Sequence, residues 1–196
     1  MLPEFSFAII LSYLVGSIST AIIVCKALNL PDPRTQGSNN PGATNVLRIG
    51  GKRAAAITLI GDGLKGALPV LAAVYSGFDL VDATWIALAA FLGHVYPIFF
   101  GFKGGKGVAT FLGALFALGL LIGTSFALIW LFVAKVLKIS SLSALIATLL
   151  TPVFFFFLTE NQDATYIIAL MSLLIFYTHR SNIKRMLSGE EGSIKS

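Results

Sequence analysis

The stretch Gly101-Phe102-Lys103-Gly104-Gly105-Lys106-Gly107 places four glycines and two lysines in seven positions, between two long apolar runs. Glycines let a backbone turn tightly and expose its N–H groups. The two lysines add positive charge, and Val108-Ala109-Thr110 reads as the start of a helix. Backbone donors, cations and a helix N-terminus together suit an anion. The spacing therefore predicts a phosphate cradle made of Lys103, Gly104, Gly105, Lys106 and Gly107. It is not a nucleotide P-loop, because Gly107 rather than Ser or Thr follows Lys106.

Two further polar segments have the same character. Gly37-Ser38-Asn39-Asn40-Pro41-Gly42-Ala43-Thr44-Asn45-Val46-Leu47-Arg48 lies in the longest loop, residues 27–53. Asn40 is a good N-cap and Pro41 a good first helical residue, while Gly50-Gly51 would stop the helix. A short helix over 41–49 follows, with Asn45 and Arg48 on one face and with Ser38 and Asn39 before its N-terminus. An anion site and a basic loop touching lipid headgroups are both open readings. The tail segment His179-Arg180-Ser181-Asn182-Ile183-Lys184-Arg185 has the charge of a membrane-flanking anchor, yet it also puts His179 and Asn182 one helical turn apart.

Asp62 and Lys65 fall inside an apolar run at i, i+3. They read as a structural ion pair or as a lining of a polar cavity. His94 stands two turns before the glycine–lysine loop, and its core and catalytic readings are both open. Ser141, in the short break 138–141, is grouped with Asp62 and Lys65, its role, structural or otherwise, left open.

Several chemistries are excluded by spacing. No histidine lies four residues from another histidine or a carboxylate, so no helical zinc or di-iron site is expected. Five residues after His94 stands Phe99, and five after His179 stands Lys184, so the His-x4-Asp acyltransferase pattern is absent. No aspartate cluster suggests magnesium-dependent phosphotransfer. The three cationic, donor-rich segments imply anionic, phosphate-bearing substrates, and no metal or other cofactor is expected.

The elements that hold these residues follow from composition. Of the 196 residues, 56% are apolar and 12% charged, with a mean hydropathy of +0.86. This predicts an all-α, polytopic integral membrane protein, forming a single domain over 1–196. The net charge of +5 is read as a cytoplasmic Lys/Arg bias, not as a nucleic-acid surface. Cys25 is the only cysteine. The first apolar run lacks a basic n-region and reads as a retained helix with its N-terminus outside, not as a signal peptide.

The expected spans are 5–25, 54–75, 82–100, 108–137, 142–158 and 165–178. The run 108–137 is too long for one untilted helix. Dividing it gives about seven transmembrane helices and a cytoplasmic C-terminus. Every polar segment named above then lies inside, and the outside loops hold Asp79, Asp82, Glu160 and Asp163 with no lysine or arginine.

The three polar segments resemble those of the bacterial membrane acyltransferases that use acyl phosphate to acylate glycerol 3-phosphate, the PlsY family. The matching residues are Gly37 through Asn45 with Arg48, Gly93-His94-Val95-Tyr96-Pro97 through Phe102–Thr110, and His179 through Arg185, so the resemblance covers essentially the whole chain. One departure is Asn39, where the family usually has glycine. The resemblance implies acyl phosphate, glycerol 3-phosphate and membrane lipid as partners, with no nucleic acid and no obligate protein partner. It implies 1-acylglycerol 3-phosphate as product, at the cytoplasmic face of the bacterial inner membrane. It points to Ser38, Asn45, Arg48, His94, His179 and Asn182 for catalysis. Asn39, Asn40, Arg180 and the glycine–lysine loop are assigned to phosphate. The competing class is a transporter or flippase of a phosphorylated solute, which would need repeated halves and access from both faces.

The charge asymmetry makes the topology testable. Cysteines placed near Asp79 or Glu160 should react with an impermeant thiol reagent added outside intact cells, and cysteines at Thr35 or Ser188 should not. Outside labelling of the tail would refute the seven-helix arrangement.

Overall fold

The computed structural model describes residues 2–194, and among these every regular element is helical. In chain order the helices are α1 (Leu2–Gly16), α2 (Thr20–Ala27), α3 (Ala43–Tyr75), α4 (Leu80–Val95), α5 (Val108–Leu118), α6 (Leu120–Leu137), α7 (Ser140–Thr159), α8 (Gln162–Thr178) and α9 (Arg180–Leu187). A 3-10 turn at Ile98–Phe100 follows α4. Five segments are long and apolar enough to cross a bilayer: Pro3–Ala27, Ala43–Tyr75, Leu80–Phe100, Leu120–Leu137 and Ser140–Thr159. α5 and α8 are shorter apolar helices. At 11 residues, α5 is only about 16 Å long, roughly half of a hydrocarbon core.

The run 108–137 divides at Gly119, as the charge pattern required. The first span does not stay whole. It breaks over Ser17–Ser19, where Ser17 Oγ turns back to donate to Tyr13 O at 2.8 Å and Lys65 Nζ donates to Ile18 O at 2.8 Å. A carbonyl freed from its helix inside the membrane needs an internal donor. Lys65 is that donor, reaching across from α3.

The expected short helix starts later and ends differently. Gly42, extended at φ −144° and ψ 161°, is the N-cap of α3, so Asn40 and Pro41 precede the helix. Gly51 leaves helical dihedrals at φ 76° and ψ −176°, but the chain resumes helix at once. The loop helix and the second span are thus one kinked element, and Gly51 supplies the left-handed residue at the kink.

Small residues set the closest approaches. A Cβ on Gly66 would stand 2.0 Å from Thr110 O, and one on Gly113 would stand 1.9 Å from Gly63 O, so α3 and α5 touch backbone to backbone. A Cβ on Gly93 would stand 2.2 Å from Tyr13 O, which brings α1 equally near α4. Around these contacts the core is aromatic and aliphatic. Phe91, Phe111, Phe126, Phe155, Ile168 and Met171 are fully buried, and Phe111 meets Phe126 edge to face with centroids 5.7 Å apart.

Adding a methyl at the α3–α5 contact should force the helices apart. Gly113→Ala is expected to cost about 1–3 kcal/mol, read as a lower midpoint of thermal unfolding in detergent. Gly63→Ala, whose Cβ would meet nothing closer than 3.8 Å, should leave the midpoint nearly unchanged. Equal effects of the two substitutions would refute this packing account.

Candidate active site

A cavity of ≈ 320 Å³ lies among α3, α5, α6, α7 and the tail. One end is polar, lined by Ser38, Asn40, Arg48, Lys106, His179 and Asn182. The other is apolar, lined by Leu59, Leu112, Phe126, Trp130, Leu131 and Ala144. Leu59 and Leu131 are 49% and 57% exposed, so the apolar end is continuous with the outer surface of the helices.

The loop before α3 is built by Asn45. Its amide Nδ2 donates to Pro33 O and Gln36 O, both at 2.9 Å, and its Oδ1 accepts from Ser38 N at 2.9 Å. The amide is fully committed. Asn45 therefore places Ser38, whose side chain remains free to act in the cavity. Arg34 forks onto Asp32 and donates to Phe100 O at 3.3 Å, tying the same loop to the 3-10 turn. Asn39 adopts φ 55°, a left-handed conformation asparagine tolerates better than most residues, which accounts for its standing where the resembled family has glycine.

The glycine–lysine loop works differently from the expected cradle. Gly105 N donates to His94 O at 3.2 Å. A Cβ on Gly104 would stand 2.0 Å from His94 O, and one on Gly105 would stand 2.2 Å from His94 Nε2. These two glycines allow the loop to press on the end of α4 and do not line the cavity. Gly107 does, at φ 89° and against the Phe91 ring. Lys103 is exposed away from the cavity. Arg180 is also exposed, its guanidinium 4.4 Å over the Tyr177 ring and bonded to Tyr177 O. Lys103, Arg180 and Asn39 are thus not brought to the cavity wall, whereas Lys106 is.

Lys106 is the centre of the polar end. Thr178 Oγ1 holds its carbonyl at 3.1 Å, and its Nζ donates to Asn182 Oδ1. Burial, reinforced by the nearby cations Arg185 and Arg48 against the opposing pull of Glu191, lowers its pKa to about 8. His179 Nδ1 donates to Ile175 O at 2.8 Å, which leaves Nε2 as the acceptor. Burial and the Lys106 charge push its pKa down to about 4, so the ring is neutral at physiological pH.

Glu191, not singled out by the sequence reading, orders this end. Its Oε1 accepts from Ser141 Oγ and Asn182 Nδ2, both at 2.6 Å, and its Oε2 accepts from Arg185 Nε at 2.7 Å. Burial alone would raise its pKa, but these bonds and the Arg185 charge hold it below the usual carboxylate range. Asn182 is thereby turned with its carbonyl toward Lys106. Ser141, whose role the sequence left open, is part of this network and lines the cavity. The available signal was a carboxylate pair, Glu190 and Glu191, just after a basic cluster. Among the described residues no carboxylate pairs with Arg48 or Lys106, so two cations face the cavity without a counter-ion.

A family model for glycerol-3-phosphate acyltransferase matches residues 6–189. The chain belongs to the glycerol-3-phosphate acyltransferase family. A relative of that name from Ruthia magnifica is 70% identical over 99% of this chain and 100% of its own length. One from Hydrogenovibrio crunogenus is 56% identical over 94% of this chain and 88% of its own. The crystal structure of PlsY, an integral membrane glycerol 3-phosphate acyltransferase, in its glycerol 3-phosphate form superposes with a TM-score of 0.94 at 39% identity, covering 98% of this chain and 96% of that one. Its lysophosphatidic acid form superposes at 0.90 and 38% identity, covering 97% and 95%. The all-α membrane architecture and the acyltransferase chemistry expected from the motifs are thereby established.

The lowered pKa of Lys106 has a defined sign. The ammonium is charged below about pH 8 and lost above it, so affinity for glycerol 3-phosphate should fall as pH rises through that value. Titration calorimetry across pH 7–10 would show it. Lys106→Arg, charged throughout this range, should remove the fall; an unchanged fall in that variant would assign it to another group.

Proposed function

We propose that this acyltransferase moves an acyl chain from acyl phosphate to the sn-1 hydroxyl of glycerol 3-phosphate, releasing phosphate and 1-acylglycerol 3-phosphate. The observation that carries this reading is the cavity's polarity. Arg48 and Lys106 offer two uncompensated cations at one end, and the other end is apolar and reaches the outer surface of the helices. A phosphate-bearing acceptor and an amphiphilic donor suit such a space. The similar structures in glycerol 3-phosphate and lysophosphatidic acid forms fit the acceptor and the product.

An acyl phosphate is a mixed anhydride and already activated. The protein has to hold two phosphates against their repulsion, set the hydroxyl beside the carbonyl, and stabilise the developing oxyanion. Arg48 and Lys106 hold the phosphates, with Asn182 and Glu191 fixing Lys106 in place. Ser38 donates its hydroxyl hydrogen bond to a phosphate oxygen or to the oxyanion. The glycerol oxygen attacks the carbonyl carbon, the carbonyl–phosphate bond breaks, and the proton leaves with the phosphate. His179 is neutral and too weak a base to hold that proton, so its Nε2 serves as an acceptor that orients a hydroxyl. Transfer is direct, in a ternary complex, with no metal and no coenzyme A. The domain acts alone, at the cytoplasmic face of the inner membrane.

Two-substrate kinetics test the reading. Initial-rate plots with acyl phosphate and glycerol 3-phosphate should intersect, and activity should survive chelators. Parallel lines with an acyl group trapped on Ser38 would overturn direct transfer, and activity lost to chelation and restored by magnesium would overturn the metal-free step. Ser38→Ala should lose about 10²–10³ in kcat, the magnitude of one lost oxyanion donor. Arg48→Lys should not fully restore what Arg48→Ala loses, since lysine lacks the planar fork.

A further inference from the structure

Asp62, Lys65 and His94 form a charged cluster that the chemistry above does not use. Asp62 is 2% and Lys65 6% exposed. Lys65 Nζ lies 3.0 Å from Asp62 Oδ1 and also holds Ile18 O. His94 Nδ1 is sealed from solvent with no hydrogen bond, and Asp62 Oδ1 faces it across 3.8 Å. The ring's other edge behaves differently. Its Nε2 abuts Gly105, one residue before Lys106, and His94 lines the cavity. One edge of the imidazole thus meets a buried carboxylate, and the other meets the phosphate loop.

We propose that Asp62 is a positioning residue of this acyltransferase: its carboxylate keeps the proton of a neutral His94 on Nδ1, so that Nε2 stands unprotonated beside Gly105 and accepts a hydrogen bond from a glycerol hydroxyl. The position of an imidazole proton is set by what the opposite nitrogen faces. An unprotonated Nδ1 would point its lone pair at a buried carboxylate, which is repulsive where solvent does not screen. The Lys65 ammonium, 3.0 Å from Asp62 Oδ1 and bonded to Ile18 O, sets a cation beside this carboxylate and ties it to the α1–α2 break. The part concerning the hydroxyl rests on the reading that the cavity holds glycerol 3-phosphate. The tautomer does not.

The chain has two histidines, His94 and His179, so ¹⁵N-histidine spectra of the full-length protein in nanodiscs contain two rings, assigned with His179→Gln. His94 should show a protonated Nδ1 and a bare Nε2 without any substrate present. Asp62→Asn should shift most of that proton to Nε2 and raise KM for glycerol 3-phosphate up to about tenfold, the loss of roughly one hydrogen bond. In a His94→Gln background the same substitution should add nothing further. A wild-type ring protonated on Nε2 would overturn the proposal even if Asp62→Asn failed to fold. An unmoved tautomer in Asp62→Asn, or independent multiplying effects of the two substitutions, would overturn it as well. A normal tautomer shift with no effect of acyl phosphate as donor would instead sink the donor reading and leave this assignment standing.

Discussion

A main-chain carbonyl released from its helix inside a membrane protein must be given a donor from elsewhere in the chain, because no water replaces it. Here that donor is Lys65, and its bond to Ile18 O fixes where the first span bends. The consequences spread from there. The bend sets α1 against α4, so Ser17 Oγ accepts from Ile98 N and Tyr13 hydroxyl donates to Tyr96 O. These contacts lie just ahead of the glycine–lysine loop. The ammonium cannot be buried alone at acceptable cost, so Asp62 accompanies it on the same helix face. The loop that presents Lys106 is consequently attached to a framework that begins at an ion pair on α3.

Opposite electrostatic demands are met near the start and in the middle of α3. Near Asp62 the charges cancel and are sealed. Near Arg48 and Lys106 they are left uncancelled among the described residues, and the carboxylate that acts on Lys106, Glu191, is spent on Ser141, Asn182 and Arg185. An incoming phosphate therefore meets cations that no protein anion has satisfied. Glu191 nonetheless sits near enough to Lys106 to favour its charged form. Its effect is to moderate the mutual repulsion of the basic residues in the resting protein while leaving both Arg48 and Lys106 unpaired.

Much of this was legible in the residues. That 108–137 divides followed from where lysines and arginines fall, because charge bias is carried by composition alone, whereas the position of the break at Gly119 was not fixed by it. The gathering of Ser38, Arg48, Lys106, His179 and Asn182 around one space followed from three polar segments on one side. What could not be read was any feature fixed by a distant partner. The first apolar run reads as one continuous span, and the break at its serines is held by Lys65, 47 positions beyond Ile18. Asn45 had the right periodicity to face a substrate, but its amide is consumed by Pro33, Gln36 and Ser38. Gly104 and Gly105 read as a cradle for an anion, whereas they make room for His94. Glu191 was not singled out at all, because the neighbours that make it an organiser come from α7 and α9.

The exposed flanks of the cavity, Leu59 on α3 and Leu131 on α6, change what concentration means for this protein. On the proposed reaction, a donor with a long acyl tail would reach Arg48 and Lys106 by moving within the leaflet, and the acylated product would depart the same way. Its supply is then a surface density, a number of molecules per area of lipid, while the acceptor arrives from a volume of water. Expanding the membrane with inert lipid at fixed amounts of enzyme and donor slows the encounter with one substrate and leaves the other untouched. On the proposed reaction, the rate of acylation would then follow the area of membrane over which the donor is spread.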